Sequence, residues 1–167
     1  EETDKIVNAL KDAEVTIRYE EGLQQVYLNG RNITDRLREE AVGKMASLTS
    51  AIPQVRQKLL ELQKGLARTQ DVIMDGRDIG TCVLPDADVK IYLTASVETR
   101  AKRRYDELTE KGIACDLNEI ARDIKERDER DSTREIAPLK QAEDAVLVDS
   151  SHMTIEEVVA AIVKLCR

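Results

Sequence analysis

From residue 72 onward, short apolar runs alternate with longer amphipathic ones. Val72-Ile73-Met74 is too short for a helix and reads as a buried strand. Val89, Ile91 and Leu93 alternate with polar residues as a second strand, and Ala145 to Val148 is a third apolar run closed by Asp149. Helical stripes lie between and after them: Val97, Ala101, Tyr105 and Leu108, then Leu117, Ile120, Ala121 and Ile124, then Ile155, Val158, Val159, Ile162 and Leu165. Buried strands interleaved with amphipathic helices specify an α/β layered fold around a parallel sheet, with right-handed crossovers. With four Tyr and no Trp or Phe, the core has to be built from Ile, Val, Leu and Ala.

The first third reads differently. Thr3 to Lys11 forms a short helix. Val15, Ile17 and Tyr19 face Val26 and Leu28 across Glu21-Gly22, which is a hairpin pattern. Asn29-Gly30 marks a further turn. Ile33 begins a third strand or leads directly into a helix, which Thr34 or Asp35 would cap. Ala41 to Ser50 is weakly helical. Pro53 suits a helix start, and Val55, Leu59, Leu62 and Leu66 make one stripe. This region is a small β lobe with helices behind it.

Helix ends are marked. Ser96 caps one helix and Gly112 ends it, with Glu98–Lys102 and Arg103–Glu107 expected as pairs along its outer face. Asp116 with Glu119, and Thr154 with Glu157, form capping-box patterns.

Two charged clusters carry the chemistry. In Asp71 to Thr81, an apolar run ends in Asp75, Gly76, Arg77, Asp78 and Gly80. Such a strand delivers charge to the rim of a sheet, where ligands of open α/β folds bind. Downstream, Arg127, Asp131 and Arg134 stand at i, i+4 and i+7 and prolong the stripe of Ile120 and Ile124, so they point inward if the helix continues. Inward charge demands partners. One reading is an internal ion-pair network of Arg127, Asp131, Arg130 and Asp128. The other is an anion pocket, because a guanidinium fork matches phosphate oxygens two at a time. Ser132-Thr133 and Pro138 suggest a hinge, so the cluster is expected to face solvent when empty. His152 reads as a surface turn residue.

The net charge of −7 argues against a nucleic-acid polymer as partner. Three scattered cysteines fit neither a zinc pattern nor a disulfide framework, which points to a reducing, cytoplasmic setting. No apolar span reaches membrane length and no signal peptide is visible. The chain opens Glu1-Glu2-Thr3-Asp4 without Met, and is expected to start inside a longer protein.

Taken together, Asp75-Gly76-Arg77-Asp78-Ile79-Gly80-Thr81, Leu84-Pro85-Asp86-Ala87-Asp88-Val89-Lys90-Ile91-Tyr92-Leu93-Thr94-Ala95, Glu126-Arg127-Asp128-Glu129-Arg130-Asp131-Ser132-Thr133-Arg134 and Ala137-Pro138-Leu139 resemble the bacterial cytidylate kinases. The likeness runs from Val15 to the last helix. It implies a P-loop kinase-like core with a parallel sheet, a monophosphate-binding insert at 15–68, a core of 1–14 and 69–167, and a helical lid at about 116–139. It implies transfer of the ATP γ-phosphoryl group to CMP or dCMP with Mg²⁺, by a cytoplasmic monomer. By the same resemblance Ser47, Arg56 and Asp78 face the cytosine, and Arg77 and Arg134 approach the phosphate. Arg127 and Asp131 serve the ribose and the lid, and Arg38 is a further substrate contact. The catalytic group is Arg77, Arg127 and Arg134, while Asp75 meets Mg²⁺ through water.

One departure is large. No Gly-x-x-x-x-Gly-Lys-Ser/Thr occurs, although that loop cradles the ATP phosphates in such enzymes. The fold is therefore expected to be incomplete at its N-terminus and the isolated chain to be inactive. A non-catalytic module keeping only the acceptor site, and a structural domain with internally paired charges, are the alternatives.

Overall fold

A computed structural model describes residues 2–166. The chain divides into two compact units, Glu1–Gly65 and Leu66–Arg167.

The first unit holds α1 (Glu2–Lys11), β1 (Val15–Glu20), β2 (Leu23–Leu28), β3 (Arg31–Asn32), α2 (Glu40–Thr49) and most of α3 (Pro53–Thr69). The three strands form an antiparallel sheet in chain order. Glu20 pairs with Leu23 and Leu28 with Arg31, so both connections are two-residue loops. Their central residues all take positive φ: 53° and 79° at Glu21-Gly22, 49° and 76° at Asn29-Gly30. Two successive positive values are the turn form whose twist matches that of paired strands. A Cβ at Gly30 would meet no atom within 4 Å, so Gly30→Ala should act through backbone strain alone. We expect a loss of about 1 kcal/mol, read as a melting temperature lower by about 2–4 °C. An unchanged melting temperature would show that the turn relaxes to another form.

Neither Thr34 nor Asp35 caps a helix. The backbone leaves β3 in a short 3₁₀ turn, Thr34–Arg36, with no side-chain cap. The Thr34 hydroxyl instead accepts from the Val26 N–H at 2.9 Å and donates to Asn32 Oδ1 at 2.7 Å. It is used to satisfy the edge of β2, which β3 is too short to cover. In α3, Lys58 Nζ donates to the Leu10 carbonyl at 2.6 Å, meeting an open acceptor at the end of α1.

The second unit contains β4 (Ile91–Thr94), α4 (Val97–Glu110), α5 (Leu117–Thr133), β5 (Val146–Asp149) and α6 (Ile155–Leu165). β4 and β5 pair in parallel, Ile91 with Val146 through Thr94 with Asp149. The expected parallel sheet is present. Its first strand starts at Ile91, two residues beyond Val89; the Lys90 carbonyl just before it accepts from the Val146 N–H at 2.9 Å, and the Lys90 side chain binds Asp144 at 2.6 Å and the Pro85 carbonyl.

The strand expected at Val72 is not formed. Residues 71–75 join no ladder, and Ile73 is fully exposed. Strand character needs a partner for backbone N–H and C=O groups, and among the described residues no segment offers one. The charged residues that follow therefore leave an unpaired segment, not the rim of a sheet.

Capping follows the sequence signals closely. Ser96 Oγ accepts from the Thr99 N–H at 3.1 Å, and Asp116 Oδ1 from the Glu119 N–H at 2.9 Å. Thr154 and Glu157 bond reciprocally as a full capping box. α4 ends with Gly112 at φ 69°, where Gly112 N–H reaches Thr109 O and Ile113 N–H reaches Leu108 O, both at 2.9 Å. That is the two-bond left-handed helix ending that favours glycine. The ion pairs along α4 differ from expectation. Lys102 pairs with Asp106, Glu107 with Arg104 and Lys111, while Arg103 donates to the Ser150 carbonyl at 2.6 Å. Arg103 is drawn away because the turn after β5 offers it three oxygens: Ser150 O, Ser150 Oγ and Met153 O.

Among the described residues of this unit Val83, Ala95, Ala101, Leu108 and Val148 are the buried apolar side chains, an aliphatic core as the composition required. Among the described residues no helix is long and apolar enough to cross a membrane.

Candidate active site

The second unit brings five of the proposed site residues together around α5. Ile120, Ala121, Ile124, Arg127, Asp128 and Asp131 are its covered positions, so the apolar stripe does continue into charge. Asp131 is 3% exposed. Its Oδ2 accepts from Arg77 Nε at 3.2 Å and lies 3.7 Å from Arg127 Nε. Two guanidiniums thus share one buried carboxylate oxygen. Arg127 Nε is itself buried and has no hydrogen-bond partner among the described residues. Among those residues Arg77 and Arg127 make no other hydrogen bond or ion pair, and both side chains stay about two-fifths exposed.

Arg134 does not continue the helical face. α5 ends at Thr133, and Arg134 is extended at φ −62°, ψ 142°. Its Nε donates to the Ala137 carbonyl at 2.7 Å, and its Nη2 lies 3.9 Å from Asp78 Oδ1. Both side chains are nearly covered, at 10% and 14% exposure. Ala137 holds φ 49° directly before Pro138, a conformation that L-residues seldom take. The Leu139 N–H then returns to the Asp131 carbonyl at 2.7 Å. The segment after α5 is folded back onto the helix end, so the expected solvent-facing cluster is corrected. The reason is local: the turn at Ala137 presents its carbonyl to Arg134 Nε.

On the other side, Asp78 precedes a single π-helical turn, Ile79–Val83, in which the Val83 N–H reaches the Asp78 carbonyl at 3.2 Å. Wider turns of this kind recur at functional sites. Arg77 and Asp78 therefore approach the α5 cluster from one short irregular segment. Asp75 is exposed at its start.

Of the internal network proposed for Arg127, Asp131, Arg130 and Asp128, the Arg127–Asp131 limb is present, at 3.7 Å. Asp128 is taken by Arg100 of α4, through Nη1–Oδ1 at 3.0 Å and Nη2–Oδ2 at 2.5 Å. Those hydrogen bonds raise the Arg100 guanidinium above its ordinary pKa. Sequence reading passed over Arg100. The available signal was a charged residue on the flank of the stripe of Val97 and Ala101, where a helix face meets its neighbour.

In the first unit Ser47 is buried in α2, and the Ser50 hydroxyl donates to its carbonyl at 2.8 Å. Arg56 is half-buried in the first turn of α3, with Nη1 3.5 Å from the Ser50 carbonyl. Arg38 is exposed between the 3₁₀ turn and α2. His152 is exposed, as its turn setting suggested.

Three guanidiniums around two carboxylates leave one net positive charge, disposed over fork-shaped donors. That combination can hold a phosphate monoester while the carboxylates accept from hydroxyl or amino groups.

The sequence model of a family described as cytidylate kinase matches residues 1–167. A protein named cytidylate kinase from Caldicellulosiruptor saccharolyticus is 48% identical over 164 residues, covering 98% of this chain and 73% of the relative. Another of that name from Lactobacillus johnsonii is 48% identical over 160 residues, covering 96% and 70%. A third, from Geobacillus sp. strain WCH70, is 44% identical over 160 residues, covering 96% and 71%. The chain belongs to the cytidylate kinase family.

Proposed function

We propose that the chain works in a nucleoside monophosphate kinase that transfers the γ-phosphoryl group of ATP to CMP or dCMP, and that on its own, with no phosphate-loop sequence, it binds the acceptor without turnover. The observation that carries this reading is the cluster of Arg77, Asp78, Arg127, Asp131 and Arg134 in one unit. An oxygen of the acceptor phosphate attacks the γ-phosphorus in line. The bond from γ-phosphorus to the bridging oxygen breaks, and ADP leaves. The protein's part is positioning and charge neutralisation. Arg77 and Arg134 hold the acceptor phosphate and offset its repulsion with the donor. Arg127 and Asp131 take the ribose. Ser47, Arg56 and Asp78 read the base, and Arg38 is a further substrate contact. We assign 15–68 to the monophosphate-binding lobe, 1–14 and 69–167 to the core, and about 116–139 to the lid.

The donor arrives as the Mg²⁺ complex of ATP, in which the metal offsets phosphate charge. Among the described residues no three His, Cys, Asp or Glu side chains are grouped as ligands, so they offer no cage of their own for it. Asp75 is assigned a contact with that metal through water. Three free cysteines suit a reducing cytoplasm, and the working unit is a monomer without a nucleic-acid polymer or membrane partner.

The test is base choice. Asp78 can accept from the cytosine amino group, where uracil presents a carbonyl oxygen. In calorimetry CMP should bind the full chain more tightly than UMP, and Asp78→Ala should narrow that gap. Equal binding of CMP and UMP by the unsubstituted chain would count against the reading. An unchanged ratio in the variant would remove Asp78 as the base reader.

A further inference from the structure

Arg100 belongs to no part of the acceptor cluster, yet its guanidinium is engaged at all three nitrogens. Its Nη1 and Nη2 grip both oxygens of Asp128, and its Nε donates to the Ala95 carbonyl at 3.0 Å. Ala95 is buried just beyond the end of β4. A planar fork held at all three nitrogens cannot swivel, so Asp128 is located relative to the end of β4 and the start of α4. Asp128 sits one residue after Arg127 and three before Asp131. On a helix of 3.6 residues per turn, holding one position against a neighbour restricts the rotation of the helix, and with it the Cα–Cβ directions of the other positions.

We propose that Arg100 and Asp128 are a positioning pair. They set the rotation of α5 about its own axis, and so aim Arg127 and Asp131 at the acceptor nucleotide. This rests on the nucleotide-binding reading above. Side-chain tips lie about 6 Å from a helix axis, so a rotation of about 20° moves them roughly 2 Å. That is enough to part Arg77 Nε from Asp131 Oδ2, now 3.2 Å apart. The pair is one-third exposed on both sides. Ion pairs with that much solvent contribute little to stability. Its three-point geometry therefore bears on direction more than on folding.

The experiment is a double-substitution cycle on the full chain, read by calorimetry with CMP. Arg100→Lys keeps the charge and loses the fork. It should weaken CMP about tenfold, the effect of losing roughly one hydrogen bond to a charged group. If Arg100 acts through α5, the same change should cost only about threefold when Arg127 is already alanine, because Asp131 is then the one aimed group left to misplace. Thermal melting should move little. An equal loss in both backgrounds, or no loss where the unsubstituted chain binds CMP, overturns the proposal. Should Arg100→Lys not fold, Asp128→Asn takes its place, and failure of both to fold makes the pair a stability element and overturns the proposal as well. An unsubstituted chain without CMP affinity overturns the proposed function, and this inference with it.

Discussion

Replacing Asp131 with alanine will lower the melting temperature of the ligand-free chain by roughly 5–10 °C. Removing one partner from a buried ion pair strands the other, at a cost of about 3–5 kcal/mol when both are enclosed. Here Asp131 is enclosed, whereas Arg77 and Arg127 are about two-fifths exposed. Water can take over part of their solvation, so the loss falls to about 2–3 kcal/mol. For a chain of this size each kcal/mol moves the midpoint by about 2–4 °C. The carboxylate also holds Arg77 by its Nε edge, so CMP affinity should fall in the same variant. A melting temperature within a degree of the parent would mean that the cluster opens to solvent on its own.

Arg134→Ala should discriminate between two ligands that differ by one group. Arg134 is assigned to the acceptor phosphate, and a hydrogen bond to a charged group contributes about 1.5–3 kcal/mol. CMP should therefore bind roughly tenfold to a hundredfold more weakly. Cytidine, which lacks the phosphate, should lose less than about threefold. The side chain is almost covered and its Nε is engaged by Ala137, so its terminal nitrogens already lie near Asp78 before any ligand arrives. Equal losses for CMP and cytidine would reassign Arg134 to the folding of the loop after α5.

Local chemistry was legible in the sequence wherever a few neighbours decide the outcome. The capping residues Ser96, Asp116 and Thr154 do what their side chains suggested, because a cap is settled within four residues. Glu21-Gly22 and Asn29-Gly30 set the register of the antiparallel sheet for the same reason. Outcomes that depend on distant partners were less legible. Val72 to Met74 has the composition of a strand, but strand formation is a property of two segments. Arg103 looked like the partner of Glu107, four residues away, until the turn after β5 offered it better acceptors. In the site, the residue types at Arg77, Asp78, Arg127, Asp131 and Arg134 were visible. Their pairing was not. Spacing along α5 suggested one continuous face, while the break at Arg134 and the positive φ of Ala137 turn the last arginine toward Asp78. The role of Arg100 is not legible in the sequence, because a single arginine on a charged helix carries no mark of where its fork will land.

The parallel pairing of β4 with β5 has a consequence for how this chain reaches its fold. Ile91 meets Val146 only after everything between them has been looped out, including α4 and α5. Closing a flexible loop of that length costs roughly 3–4 kcal/mol of chain entropy, and four paired residues on each side return little against it. The antiparallel turns of the first unit close over two residues and carry almost none of that burden. Helices formed beforehand shorten the span, so α4 and α5, with the Arg100–Asp128 fork joining them, act as a folded spacer that brings the two strands within reach. The sheet of the second unit is therefore expected to form after the helices that connect its strands.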